Sequence, residues 1–228
     1  MSSTSDSSTS SGLISSGLIS FGLISSGLLD VVPVMPVVVI DRLKDAVPLA
    51  RALVEGGLPA IELTLRTPVA LEAIRAIAIE VPEILVGAGT IVTPSQAHEA
   101  RDAGARFLVS PGATPTLLAA MSDTGLPFLP GTATVSEVLA VLEAGVTEMK
   151  FFPAEASGGA AFLRAISSPV PAARFCPTGG ITAASAGDYL ALPNVGCVGG
   201  SWLTPVDALR DGDWARVSSL AEAAAALR

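Results

Sequence analysis

From residue 31 onward the chain alternates short apolar runs with amphipathic stretches, eight times in succession, and this alternation limits the fold more than any other feature. Repeated strand–helix units build parallel sheets covered by helices, because joining parallel strands takes a crossover of helical length. Strands are expected near 35–40, 60–65, 84–88, 106–109, 127–129, 148–152, 174–176 and 196–198. Helices rich in Ala, Leu and Glu are expected at 45–55, 68–80, 95–103 and 136–143, with a last one near 214–227. Eight such units in roughly 195 residues fit an α/β fold of the (β/α)8 TIM-barrel kind, a single domain over 31–228. An open doubly wound sheet is the rival, but Gly- and Pro-rich strand ends fit the barrel better.

The first thirty residues differ from all that follows. Met1 to Ser11 is rich in Ser and Thr, a composition that buries too little apolar surface to order itself. From Gly12 a five-residue unit then runs four times: Gly-Leu-Ile-Ser-Ser, Gly-Leu-Ile-Ser-Phe, Gly-Leu-Ile-Ser-Ser and Gly-Leu-Leu-Asp-Val. A period of five matches neither helix nor strand. The run lacks the preceding basic residues of a secretory signal, and Ser and Gly interrupt it too often for a membrane span. It reads as a tail whose later part, near 18–29, forms a short helix covering the domain.

Half the residues are hydrophobic, enough for a sizeable core, and the net charge of −8 argues against nucleic acid or anionic membranes as partners. Two cysteines, Cys176 and Cys197, make no disulfide framework and read as free and buried. His98, the single histidine, excludes a His-rich metal site and sits in a helical stretch where a structural role is expected. With no disulfide pattern, signal or span, a cytoplasmic location is the expectation.

Barrel active sites lie where the strands end, and the unusual residues collect there. Thr64–Thr67, Gly87–Thr90, Ser110–Gly112, Leu129–Thr132, Phe152–Glu155, Pro177–Gly180 and Gly199–Ser201 all follow expected strands. The chain has two lysines, Lys44 among charged neighbours and Lys150 in the apolar run Met149-Lys150-Phe151-Phe152. Burying an ammonium favours the neutral amine, the form that attacks a carbonyl to make a Schiff base. The bland alternative is a lysine that snorkels to water or pairs with Glu148. In Ile61-Glu62-Leu63-Thr64-Leu65-Arg66 the period of two puts Glu62, Thr64 and Arg66 on one face, inward if the aliphatic set meets the helices. That set is either a Glu62–Arg66 ion pair plugging the barrel or a general acid/base beside an anion-binding arginine. By the same parity Lys150 faces inward with Phe152 and with a deeper Glu148, where a structural ion pair is expected. The diglycines Gly179-Gly180 and Gly199-Gly200, followed by Ser201, stand where such barrels often bind phosphate.

Six motifs taken together carry a resemblance. Glu62-Leu-Thr-Leu-Arg66-Thr, Val86-Gly-Ala-Gly-Thr90, Val109-Ser-Pro-Gly112, Lys150-Phe-Phe-Pro-Ala-Glu155, Arg174-Phe-Cys-Pro-Thr-Gly-Gly180 and Gly199-Gly-Ser-Trp-Leu203 resemble the bacterial 2-keto-3-deoxy-6-phosphogluconate (KDPG) aldolases, which also cleave 4-hydroxy-2-oxoglutarate (KHG). The likeness runs from about Val34 to the C-terminus in order and spacing; only the tail departs from it. It implies a class I aldolase on a (β/α)8 barrel, a homotrimer with no metal or organic cofactor and a small keto acid as substrate. By motif, Lys150 matches the Schiff-base lysine and Glu62 the proton-transferring carboxylate. Arg66 and Thr90 match residues at the substrate's carboxylate end. Thr178 and Ser201 match residues near its hydroxyls and phosphate, where Gly179, Gly180, Gly199 and Gly200 supply backbone donors. Pro111 and Phe152 would wall the pocket. The alternatives are a metal-dependent aldolase, a sugar-phosphate isomerase using Glu62 as base, and a non-catalytic scaffold.

Overall fold

The computed structural model describes residues 27–227. The Ser/Thr-rich start and the first three repeat units lie outside the described residues. Strands β1 (Val34–Val38), β2 (Ala60–Thr64), β3 (Leu85–Gly89), β4 (Leu108–Val109), β5 (Phe128–Leu129), β6 (Gly131–Thr132), β7 (Glu148–Phe151), β8 (Arg174–Pro177) and β9 (Val198–Gly200) follow one another along the chain. Helices α1 (Ala46–Glu55), α2 (Ala70–Glu80), α3 (Pro94–Asp102), α4 (Pro115–Asp123), α5 (Val135–Glu143), α6 (Gly159–Ile166), α7 (Ala186–Leu190), α8 (Val206–Asp211) and α9 (Trp214–Ala225) separate and follow them. Each expected strand is present to within two residues at either end.

One closed eight-stranded sheet was the expectation. The described chain instead forms a curled six-stranded parallel sheet, ordered β5-β4-β3-β2-β1-β9, and a three-stranded parallel sheet, β6-β7-β8. The division falls at Pro130, one residue past the expected fifth strand at 127–129, where the chain runs on into a further strand. A proline has no N–H to give to a ladder, so the strand is cut into β5 and β6 there. Its carbonyl still accepts from the Lys150 N–H at 3.0 Å. Between β8 and β9 the pairing is reduced to two isolated bridges, Phe175 with Val195 and Thr178 with Gly199.

Local chemistry fixes where the helices begin. Thr93, Thr114 and Thr134 cap α3, α4 and α5 by accepting the N–H three residues on, at 3.2–3.3 Å. Gln96 and Glu137 complete capping boxes on the first and third of these. The Ala133 N–H is the main cause holding the Glu137 carboxyl below its ordinary range. Because the strands are parallel, these starts all lie on the face carrying the strands' carboxyl ends, with the glycine-rich turns just before them.

The opposite face is covered by the fourth repeat unit. The helix expected near 18–29 appears, in its described part, as a three-residue 3-10 turn, Leu28–Asp30. Leu28 and Leu29 are buried, and the Leu28 N–H donates to Glu148 Oε2 at 3.0 Å. Arg174 bonds Asp30 at 2.6 and 2.9 Å and Glu148 at 3.1 Å. This gives Glu148 the structural ion pair expected of it. Burial pushes its carboxyl up, against the pull of the Leu28 N–H and Arg174. Leu29 lies so close to Gly196 that a side chain there would collide with it. Leu29→Ala should therefore destabilise the protein by about 2–5 kcal/mol through lost burial and a residual cavity. Denaturant unfolding measures this, and a loss well under that range would mean the turn adds little to the core.

Candidate active site

Two strands across the curled sheets bring the buried charges together. Glu62 on β2 and Lys150 on β7 are 1% and 5% exposed, and the Lys150 ammonium donates to Glu62 Oε1 at 3.0 Å. Lys150 thus pairs with Glu62 rather than Glu148, and Glu62 with Lys150 rather than Arg66. Removing one partner of such a buried pair costs about 3–5 kcal/mol, because the other charge is left uncompensated.

Glycines on the next strand make room for the pair. Thr64 stands opposite Gly89 and Glu62 opposite Gly87. A Cβ on Gly89 would overlap the Glu62 carboxyl, and one on Gly87 would overlap the Phe107 ring. Glu62 therefore leans over Gly89, while Ala88 between the glycines packs outward into the core. Thr64 shares the Glu62 face, but its hydroxyl is spent on the Val38 carbonyl at 2.9 Å.

Lys150 is framed by its own strand and by the β4 exit. The Phe152 ring lies 5.4 Å from Nζ, within cation–π range. Phe151, one residue earlier, points the other way and stacks on Phe162 with centroids 5.0 Å apart. Gly131 faces Lys150 in register, and a Cβ on it would strike the Pro111 backbone. That close approach seats the Ser110-Pro111-Gly112 turn against the lysine's neighbour strand.

At one rim, Arg66 Nε donates to Thr90 Oγ1 at 3.2 Å. Thr90 has φ 60°, a left-handed conformation that a β-branched residue adopts only at a cost. The turn thus holds its hydroxyl beside the exposed guanidinium. At the other rim, Gly179 and Gly180 take φ 103° and 82°, backbone that glycine adopts freely. A Cβ on Gly179 would sit 3.4 Å from Phe152, and Thr178 occupies the space a side chain on Gly199 would need. Gly200 is covered by the Trp202 ring, and Ser201 is exposed just beyond it. A cleft of about 660 Å³ beside Ser201, lined by Val37, Val39, Ile40, Pro205 and Leu209 among others, shares only Ser201 with the residues singled out in the sequence.

The structure therefore places Glu62, Lys150 and Phe152 together, with Arg66–Thr90 paired at one strand end and Thr178, Gly179, Gly199 and Gly200 clustered at another. His98 lies apart, on α3, and Cys176 and Cys197 are both buried and outside any disulfide. Sequence reading passed over two contributors. One is Gly89 as the space for Glu62, which strand alternation across the Gly-Ala-Gly turn could have revealed. The other is the hydroxyl of Tyr189, the single tyrosine, which donates to Glu155 Oε1 at 2.6 Å from 34 residues further along the chain. Among the described residues no three His, Cys, Asp or Glu side chains gather as a metal ligand set, and no helix is long and apolar enough to cross a membrane.

The family model described as KDPG and KHG aldolase matches residues 26–220. The chain belongs to that family. The KHG/KDPG aldolase of Escherichia coli K12 is 54% identical over 192 residues, covering 84% of this chain and 90% of that protein. A KDPG aldolase from Legionella pneumophila, solved with pyruvate captured as a covalent carbinolamine, superposes with a TM-score of 0.85 at 47% identity, covering 86% of this chain and 96% of that one. The Zymomonas mobilis ZM4 enzyme, solved with 3-phosphoglycerate, gives 0.83 at 45%, covering 88% and 94%. In an aldolase of this family, a buried amine within hydrogen-bond reach of a buried carboxylate is a pair able to combine nucleophilic attack with proton transfer.

Proposed function

We propose that this protein cleaves KDPG to pyruvate and glyceraldehyde 3-phosphate, and KHG to pyruvate and glyoxylate, through a Schiff base on Lys150. The observation that carries the reading is the 3.0 Å contact between Lys150 Nζ and Glu62 Oε1, both buried, in a member of a family where a relative holds pyruvate as a carbinolamine. Lys150 sheds a proton to water, and the neutral amine attacks the C2 carbonyl to give a carbinolamine; a proton returned to its hydroxyl lets water leave, and a protonated imine remains. Glu62, directly or through a water, takes the proton of the C4 hydroxyl. The C3–C4 bond breaks, its electrons move into the imine, and the aldehyde fragment leaves. Glu62 returns a proton to C3 of the enamine, and hydrolysis frees pyruvate and the amine.

Arg66, held against Thr90, binds the keto acid's carboxylate, for which its guanidinium offers paired donors. Thr178, Ser201 and the backbone of Gly179, Gly180, Gly199 and Gly200 receive the hydroxyls and the phosphate. Phe152 and Pro111 keep water from the amine. We take the two sheets to be one (β/α)8 barrel: β5 and β6 flank a single proline, and the Thr178–Gly199 bridge links β8 to β9. The same family reading gives a homotrimer in the cytoplasm, working without metal or organic cofactor.

Borohydride trapping with pyruvate, followed by peptide mass mapping, tests the chemistry. Because Lys44 and Lys150 are the only lysines, the outcome is nearly binary. A reduced adduct on Lys150 is expected. Folded protein that traps nothing, or traps only at Lys44, would return the site to a metal-dependent or isomerase chemistry.

A further inference from the structure

The loop that follows the Lys150 strand and the diglycine turn after β8 are fastened to each other. Ala154 N–H donates to the Thr178 carbonyl at 2.8 Å and Glu155 N–H to the Gly179 carbonyl at 3.1 Å. The Glu155 side chain then lies directly against Gly180, where a Cβ would meet its Cγ at 2.6 Å and its Cβ at 2.8 Å. Its carboxylate Oε1 accepts the Tyr189 hydroxyl at 2.6 Å. Tyr189 comes from α7, the helix that ends the same diglycine segment, and is only 2% exposed. Its hydroxyl also fills the space beside Gly159, at the start of α6, where a Cβ would come within 3.1 Å of it. A single carboxylate thus spans the exit of β7, the diglycine turn and the helices that follow each.

A carboxylate beside a turn meant for an anion opposes binding by its charge, so its placement calls for another reason. The short bond to a buried phenol supplies one, since hydrogen bonds to an ionised acceptor are strong and directional. Burial first, and then the bond to Glu155, raise the Tyr189 phenol above its usual range, so it stays a donor at neutral pH.

We propose that Glu155 and Tyr189 are positioning residues that hold the Gly179-Gly180 turn in register for the phosphate end of the substrate, leaving the Lys150 chemistry to other contacts. This rests on the aldolase reading of the site. Loosening the pair weakens recognition of the distal phosphate and spares the pyruvate half, which sits at Lys150, Glu62 and Arg66.

Steady-state cleavage of KDPG and of unphosphorylated KHG, with proton exchange on pyruvate, tests this in Tyr189→Phe, Glu155→Ala and Glu155→Gln. Tyr189→Phe and Glu155→Ala are expected to raise KM for KDPG roughly tenfold, the scale of losing a hydrogen bond to a charged group. KHG cleavage and pyruvate exchange should stay within about twofold of the unaltered protein, a difference of under half a kcal/mol. Glu155→Gln keeps an acceptor for Tyr189 and should recover most of the KDPG affinity. Thermal unfolding of each variant shows that it is folded, and exposed Glu155 provides the test if Tyr189→Phe does not fold. An unchanged KDPG KM in the Glu155→Ala protein overturns the proposal, as does an equal loss with all three readouts. No exchange and no cleavage by the unaltered protein would instead overturn the aldolase reading, and this inference with it.

Discussion

Lys150→Met loses aldol cleavage by on the order of 10⁴–10⁶-fold, the scale set by removing a nucleophile, and traps no pyruvate with borohydride. Methionine keeps the apolar stem between the Phe152 ring and the β7 backbone but has no amine to form an imine. The change also takes away the Glu62 partner 3.0 Å distant. A buried carboxylate left alone is costly or takes up a proton, so some loss of stability accompanies the loss of activity. Turnover is therefore measured well below the variant's unfolding midpoint, which a thermal scan supplies. Activity within tenfold of the unaltered protein under those conditions would remove Lys150 from the chemistry and with it the imine pathway.

Glu62→Gln separates proton transfer from imine formation. Glutamine has nearly the same shape, so it fits the space above Gly89 where a Cβ would overlap the native carboxyl. Its amide oxygen can still accept from Lys150, but it cannot take the C4 hydroxyl proton or return one to the enamine. Exchange of pyruvate methyl protons should fall by about 10²–10⁴-fold, the usual contribution of a general base, while the yield of trapped pyruvate changes little. A parallel fall in exchange and trapping would assign Glu62 the work of holding Lys150 in place rather than moving protons.

How much of this was legible beforehand depends on the range of the interaction concerned. The alternation in Ile61–Arg66 was enough to turn Glu62 inward, because side-chain direction in a strand is a local property with a period of two. The same rule separated Lys150 and Phe152 from Phe151, which stacks in the core. It could not say which inward carboxylate meets Lys150. Glu148 is two residues away and Glu62 is 88, yet Glu62 forms the pair while Glu148 turns to Arg174 and the Leu28 N–H. Strand alternation likewise gave no warning that Thr64, on the Glu62 face, spends its hydroxyl on Val38. The cut at Pro130 was visible as a residue, but its division of the pairing into two sheets was not.

The sequence by itself determined the alternation of strands and helices, the faces of β2 and β7, and the family. These rest on neighbours in the chain or on motifs read in line. Tertiary structure decided the rest. It paired Lys150 with Glu62, opened space for that carboxylate over Gly89, set Pro111 against Gly131, and joined Glu155 to Tyr189. Each depends on how far two strands approach across a curled sheet, a distance set by the packing of the whole core.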